Sequence, residues 1–441
     1  MGRELEITLP TFHPDQIRAF EVWRKNKYVA GRCGRRWGKT DFAKTIAADY
    51  MLKGRNVGWF APSYKIMSEA YSELALLLNP VIPSRGGASK TEGVIRTITG
   101  GRTDFWSLEN ERAGRSRKYH QVIVDEGAFA KANFATIWEQ AIEPTLLDYS
   151  TLPYGGRCLI ISNTNSIAED NFFYMICETQ VEKWKFTQFH APTSNNPYMP
   201  ASRLAELKAS KHPLVWQQEY LAEFVDFSGE SFFSSDKLLL DGKPVPQPVG
   251  VESVFAVIDT AVKEGKEHDA TAVSFWALMP AWFEPYKLVC LDWDLVSIDG
   301  AMLETWIPNV FAMLEHFAKV CKAVNGSVGA FIEDANSGSI LLQQCALRNW
   351  PAEALPSELQ MAGKDARAIN ASSPVYCGYV KFSENAYTKT TTFKETHRNH
   401  MLSQVSGFRV GDKDAAKRSD DLFDTFTYAV AITLGDSEGI A

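Results

Sequence analysis

Two sets of residues in this 441-residue sequence have types and spacings that can do chemistry. The first opens at Cys33-Gly-Arg-Arg-Trp-Gly-Lys-Thr40, between an apolar run and an amphipathic one. In a strand–loop–helix of this kind, backbone N–H groups and the helix N-terminus face phosphates. Lys39 would reach the β and γ oxygens, and the Thr40 hydroxyl would meet Mg²⁺. Gly34, Arg35, Arg36 and Gly38 would line the same loop. The usual pattern begins with glycine; here Cys33 holds that place, with Gly34 beside it. A strand-to-helix turn with a chance lysine is the plain alternative.

Val122-Ile-Val-Asp-Glu126 weighs against that alternative, because an apolar strand ending in two acids follows downstream. Asp125 can hold Mg²⁺ and Glu126 can orient an attacking water. An acidic turn is common by itself, but both elements in order inside an α/β alternation favour an ATP site. Gln16, before the first strand, has an amide able to read adenine, although a surface glutamine is nearly as expected. Ser162-Asn-Thr-Asn165 directly follows a strand, where Ser162, Asn163 and Thr164 could sense a γ-phosphate; a simple turn is the alternative. Arg35 and Arg36 in cis, or Arg112, Arg115 and Arg117 in trans, are candidates to stabilise transferred charge.

The second set is carboxylate. Asp259 ends the apolar run Val254–Ile258, Asp269 opens the next, and Glu333 and Asp334 end Val328–Ile332. Asp420 and Asp421 begin the last helix, and Asp424 shares a helical face with both. Acids at the ends of two neighbouring parallel strands and one covering helix can converge on Mg²⁺ or Mn²⁺. Two such ions position and activate water for in-line attack on a phosphodiester. Hard cations favour oxygen donors, and no cluster of His or Cys competes. Asp420 could instead serve the helix dipole with Ser419 as cap, and Asp259 could be a turn residue.

The elements that must position these residues follow from periodicity. Before residue 226, short apolar runs (Lys27–Ala30, Val57–Phe60, Val122–Val124, Cys158–Ile161) alternate with helical stretches (Asp41–Leu52, Ser63–Leu78). That is the pattern of an α/β domain with a parallel sheet. Residues 227–250 are rich in Ser, Gly and Pro and are expected to connect two domains. From 251 to 441 three runs separated by loops suggest an antiparallel meander: Val254–Ile258, Thr271–Leu278 and Tyr286–Trp293. A helix over Ala301–Val324, a strand, a helix from Gly338, a strand near Tyr379–Phe382 and two final helices follow.

Two domains also suit the length, and the composition, 45% hydrophobic and 22% charged, is that of a globular chain. No apolar run approaches the roughly 20 residues of a membrane helix, so no membrane is expected. The amino terminus lacks the basic and apolar segments of a secretory signal. Seven scattered cysteines without a CxxC pair suggest free thiols in a reducing compartment. The net charge of −7 arises after residue 226 and leaves room for a local basic strip.

Taken together, these motifs resemble the large terminase subunit of tailed bacteriophages over almost the whole chain. They are Gln16, Gly34–Thr40, Asp125-Glu126, Ser162–Asn165 and Gln218-Glu-Tyr-Leu-Ala-Glu-Phe224, then Ile258-Asp-Thr-Ala261, Phe331–Gly338, Gly363-Lys-Asp-Ala-Arg367 and Ser419–Asp424. The resemblance implies a P-loop (RecA/ASCE-like) ATPase domain at 1–226, a linker at 227–250 and an RNase H-like α/β nuclease domain with a mixed sheet at 251–441. It implies an ATP-driven motor that moves double-stranded DNA into a procapsid and cuts the concatemer. Mg²⁺ would serve both sites, with Mn²⁺ possible in the nuclease. Partners implied are the portal protein, a small terminase subunit and a ring of copies, a pentamer, docked on the procapsid in the host cytoplasm. The family needs one acid where Glu333 and Asp334 stand together, and either could bind the metal. Two rivals are a DNA-dependent ATPase or helicase without nuclease activity and an assembly protein using ATP as a switch. A second motor half is not found after residue 250, and a switch has less use for Glu126.

Overall fold

The computed structural model describes residues 7–165, 170–229, 232–260, 271–296, 303–334, 337–411 and 420–435. The chain divides into two compact units, Met1–Leu207 with Pro213–Asp226, and Lys208–His212 with Phe227–Ala441.

In the first unit α1 (Pro14–Lys25) leads to β1 (Tyr28–Cys33), α2 (Lys39–Leu52), β2 (Asn56–Ala61) and α3 (Tyr64–Leu78). Short strands β3 (Ala88–Ser89) and β4 (Val94–Arg96) precede β5 (Arg102–Ser107), β6 (Gln121–Asp125), β7 (Arg157–Ser162) and β8 (Thr187–Ala191). One sheet results, ordered β3-β4-β5-β2-β6-β7-β1-β8. Its pairings are parallel from β5 to β8 and antiparallel around β4.

Successive side chains of a strand point to opposite faces. On β7, Leu159 and Ile161 join a core with Phe42, Ile46 and Leu74 from α2 and α3. Cys158 and Ile160 join another with Trp138, Phe172 and Phe186. A strand covered on both faces must be apolar throughout, which is why β6 and β7 stand out in the sequence. β5 does not, because its Asp104 is buried by pairing with Arg102 and accepting from Tyr119 Oη at 3.2 Å.

In the second unit β9 (Ser253–Asp259), β10 (Thr271–Leu278) and β11 (Leu288–Val296) form the expected antiparallel meander. β12 (Ser327–Ile332) lies parallel to β9, and β13 (Ala352–Ala354) and β14 (Val380–Phe382) extend the edges. The order is β13-β12-β9-β10-β11-β14. Val254, Ala256 and Ile258 of β9 pack with Leu303, Ile307 and Leu314 of the helix Leu303–Val320. The opposite face carries the helix Asp421–Leu434, buried continuously from Leu422 to Ala431. Its Phe426 meets Trp276 and Phe382, with ring centroids 5.8 and 6.3 Å away. A helix buried all round must be apolar all round, and Phe, Ala, Val and Ile dominate its sequence.

The described residues of 227–250 pack with this unit rather than standing clear as a bare connection. Phe232, Phe233, Leu238 and Val245 are buried. The Phe233 ring lies 5.7 Å from that of Phe423 and 5.5 Å from that of Phe426. β13 and the helix Lys364–Tyr376 were not expected: one is three residues long, and the other contains Pro374 and few large apolar residues. All seven cysteines are free. Among the described residues no helix is long and apolar enough to cross a membrane.

Candidate functional site

Because β6, β7 and β1 are adjacent and parallel, their C-terminal ends share one edge of the sheet. That edge gathers Lys39 and Thr40 after β1, Asp125 and Glu126 at β6, and Ser162, Asn163 and Thr164 at β7. Cys33 is the fully buried last residue of β1 and pairs with Ala191. The position that requires glycine is the next one: a Cβ on Gly34 would sit 2.4 Å from Tyr220 O and 2.5 Å from Thr193 Oγ1. Gly38 has φ 94°, a left-handed turn that lets α2 start at Lys39, two residues before the expected Asp41. The first N–H groups of that helix have no intrahelical acceptor and are suited to an anion.

Lys39 Nζ lies 2.8 Å from Glu126 Oε1 and donates to Asn163 Oδ1 at 2.9 Å. Burial acts to depress the Lys39 pKa, but Glu126 and Asp125 outweigh it and the ammonium is raised. Glu126 Oε2 accepts from Ser162 Oγ at 3.1 Å and from Asn163 N at 3.3 Å. Thr40 Oγ1 donates to Asp125 Oδ2 at 3.4 Å, while Asp125 Oδ1 is buried and has no hydrogen-bond partner. Burial first, then the Glu126 charge, pushes the Asp125 carboxyl up to about 7, against the pull of Lys39. A buried acid with an orphaned oxygen beside a hydroxyl is a donor set that fits Mg²⁺.

Gln16 does not offer an open amide. Its Oε1 accepts from His13 N at 3.2 Å, and its Nε2 donates to Gly38 O at 3.0 Å. With His13 Nε2 3.0 Å from Trp37 O and Trp37 Nε1 donating to Asp15 Oδ2 at 2.8 Å, the start of α1 braces the loop. Arg36 is exposed, with φ 61° and its carbonyl accepting from Asn196 Nδ2 at 2.6 Å. Arg112, Arg115 and Arg117 are exposed, Arg117 Nε lying 3.9 Å from Asp104. Arg35 pairs with Glu219, a residue to which sequence reasoning gave no role. Glu219 also accepts from Asn163 Nδ2 at 2.9 Å. Thr164 Oγ1 donates to Gln218 O at 3.0 Å and Glu223 O at 2.8 Å.

In the second unit the parallel pairing of β9 with β12 continues one residue further, with Glu333 N donating to Ile258 O at 3.2 Å. Glu333 therefore stands beside Asp259. Burial raises the Asp259 carboxyl well above its ordinary value, and Asp424, Glu333 and Asp421 raise it further. Glu333 Oε1 also accepts from Tyr428 Oη at 3.1 Å. Gly338 lets the following helix start close by, since a Cβ there would lie 1.9 Å from Glu333 O. Asp334 is exposed and turns to Ser339, whose Oγ donates to it at 2.5 Å.

Asp424 is occupied by cations. Arg367 pairs with its Oδ1, and Lys364 Nζ lies 2.9 Å from its Oδ2 and 2.5 Å from Asp420 Oδ2. Burial acts to depress the Lys364 pKa, yet Asp424 and Asp420 raise it. Among the described residues no group of three or more His, Cys, Asp or Glu is gathered closely enough to hold a metal ion as placed. The all-oxygen character of Asp259, Glu333 and Asp421, and the mutual repulsion that raises Asp259, fit a hard divalent cation. Asp269 and Ser419 lie outside the described residues.

The topology defines an α/β domain with a mostly parallel sheet, followed by an α/β domain with a mixed sheet. No protein-family model matches the chain, and no curated protein matches it. Solved structures do. The large terminase of the thermophilic bacteriophage D6E superposes with a TM-score of 0.64 at 11% identity, over 97% of this chain and 100% of that one. The same protein in complex with ADP gives 0.66 at 12% identity, over 96% and 100%. In complex with ATP-gamma-S it gives 0.63 at 12%, over 96% and 99%. The chain thus has the fold of that large terminase over nearly its whole length.

Proposed function

We propose that this chain is the large subunit of a phage DNA-packaging motor. Residues 1–226 hydrolyse ATP to drive double-stranded DNA into a procapsid, and 251–441 cut the concatemer by metal-assisted phosphodiester hydrolysis. The observation that carries this reading is the joint occurrence, in one chain of terminase fold, of two strand-end sites. One is the Lys39–Glu126–Asn163 constellation and the other the Asp259–Glu333 pair. The ADP and ATP-gamma-S complexes of the D6E protein support the nucleotide assignment.

In the first site Thr40 and Asp125 would hold Mg²⁺, which when bound supplies positive charge to the phosphates. Lys39 binds the β and γ oxygens and leaves Glu126 as they arrive. Glu126, fixed by Ser162 and Asn163 N, orients the attacking water, and Asn163 carries the change at Lys39 into β7. In the second site Asp259, Glu333 and Asp421 would hold Mg²⁺ or Mn²⁺, whose chemistry is activation of water and stabilisation of the departing oxygen. Tyr428 steadies Glu333, and Arg367 and Lys364 hold the Asp424 and Asp420 side chains in place. Partners in this reading are double-stranded DNA, the portal protein, a small terminase subunit and further copies in a ring, on a procapsid in the host cytoplasm. DNA contacts would be mainly to phosphate, since a packaging motor accepts any sequence.

The test is ATP turnover by the full chain with Mg²⁺ and double-stranded DNA, compared with Glu126→Gln. Loss of about 10²-fold or more in kcat is expected for a residue that positions the reacting water. Turnover surviving in the variant would remove Glu126 from the chemistry.

A further inference from the structure

The segment Pro213–Asp226 has an unusual connection. It belongs to the first unit, yet the chain enters it from Lys208–His212 and leaves it at Phe227, both counted with the second. What holds it to the first unit is a row of contacts from the nucleotide edge. Gln218 O accepts from Thr164 Oγ1, Glu219 O from Arg35 N at 2.7 Å, and Tyr220 O from Thr193 N at 2.8 Å. Leu221 O lies 2.6 Å from His190 Nε2, and Glu223 O accepts from Thr164 Oγ1. At the centre Glu219 Oε2 takes both Arg35 Nε and Asn163 Nδ2.

From this geometry we infer that Glu219 is a positioning residue, an internal counter-anion that ties Pro213–Asp226 to the phosphate site when no nucleotide is present. This rests on the nucleotide reading above. Arg35 lies in the loop that faces phosphate, and Asn163 already bonds Lys39. An incoming polyphosphate presents several anionic oxygens to Arg35 and Lys39, and a carboxylate shares those cations with it only at a loss of bonding. Arg35 therefore leaves Glu219 for phosphate, and Asn163, losing Lys39, reorients. The segment is then held by fewer bonds, and its attachment reports nucleotide state to the chain on both sides of it. Gly34 makes the coupling tight, since the Tyr220 carbonyl lies where a Cβ would be.

Amide hydrogen exchange on the full chain tests this, with Mg²⁺ and either ADP or a slowly hydrolysed ATP analogue. Nucleotide should slow exchange in 34–40 and speed it severalfold in 213–226. Glu219→Gln should show the fast 213–226 pattern without nucleotide, while still binding it. Protection of 34–40 with 213–226 unchanged or slowed would overturn the inference and leave nucleotide binding standing. Protection of neither would overturn the nucleotide reading, and this inference with it. Should Glu219→Gln fail to fold, the wild-type comparison decides alone.

Discussion

Glu126 sits at φ 55°, a left-handed backbone that a glutamate adopts only where its surroundings hold it. Ser162 Oγ, Asn163 N and Lys39 do so, and the carboxylate is aimed rather than merely exposed. His212 illustrates a different residue-scale effect. Its ring lies 5.0 Å from Phe232 and 5.2 Å from Tyr376, and burial, with Lys237 adding to it, depresses its pKa to about 4. The folded state then binds fewer protons than the unfolded state between about 4 and 6.5, so stability rises with pH across that window. His212→Gln should lessen the acid sensitivity of the second unit by about 1 kcal/mol between pH 5 and pH 8, half of the roughly 2 kcal/mol that the full shift would give, because the ring is only partly buried. Urea midpoints of both proteins at the two pH values measure it. An unchanged difference between the midpoints would mean the ring is solvated.

Lys39, Thr40, Asp125 and Glu126 were legible because each pair lies within one short motif whose spacing carries the chemistry. Glu219 was not, since its partners Arg35 and Asn163 stand 184 and 56 residues away. Gln16 was legible as a polar residue near the site, but only the fold shows its amide bracing Gly38.

Among the elements, strands covered on both faces announced themselves, whereas β5, β8 and β13 did not, being polar or short edge pieces defined by their neighbours. The helix Lys364–Tyr376 was hidden similarly. Its role is to bring Arg367, 6% exposed, against Asp424 and over the Tyr428 ring, with the guanidinium carbon 4.5 Å from the centroid. Removing one partner of a buried pair strands the other charge. Arg367→Met should therefore destabilise the second unit by about 3 kcal/mol, less whatever Lys364 retains, and Arg367→Met with Asp424→Leu should recover most of it. Denaturant unfolding of the single and double variants checks this. A double variant no more stable than the single would show that packing, not charge, is lost.

For the molecule as a whole, each site lies at the C-terminal ends of adjacent parallel strands, β1, β6 and β7 in one unit and β9 and β12 in the other. Parallel neighbours put residues far apart in sequence at one edge, which is why acids that close apolar runs are legible as sites in the sequence itself. The sequence could not show that Lys364 and Arg367 rest on the last helix's acids, or that Glu333 rather than Asp334 turns to Asp259.

The central claim is that one chain carries two separable chemistries. Its most direct test is ATP turnover and plasmid cleavage measured side by side on the full chain, Lys39→Ala and Asp259→Ala, with Mg²⁺, Mn²⁺ or EDTA. Lys39→Ala should lose ATP turnover by about 10²-fold or more and still cut, and Asp259→Ala should hydrolyse ATP and fail to cut. Cleavage by Asp259→Ala at the wild-type rate, or cutting that persists in EDTA, would contradict it.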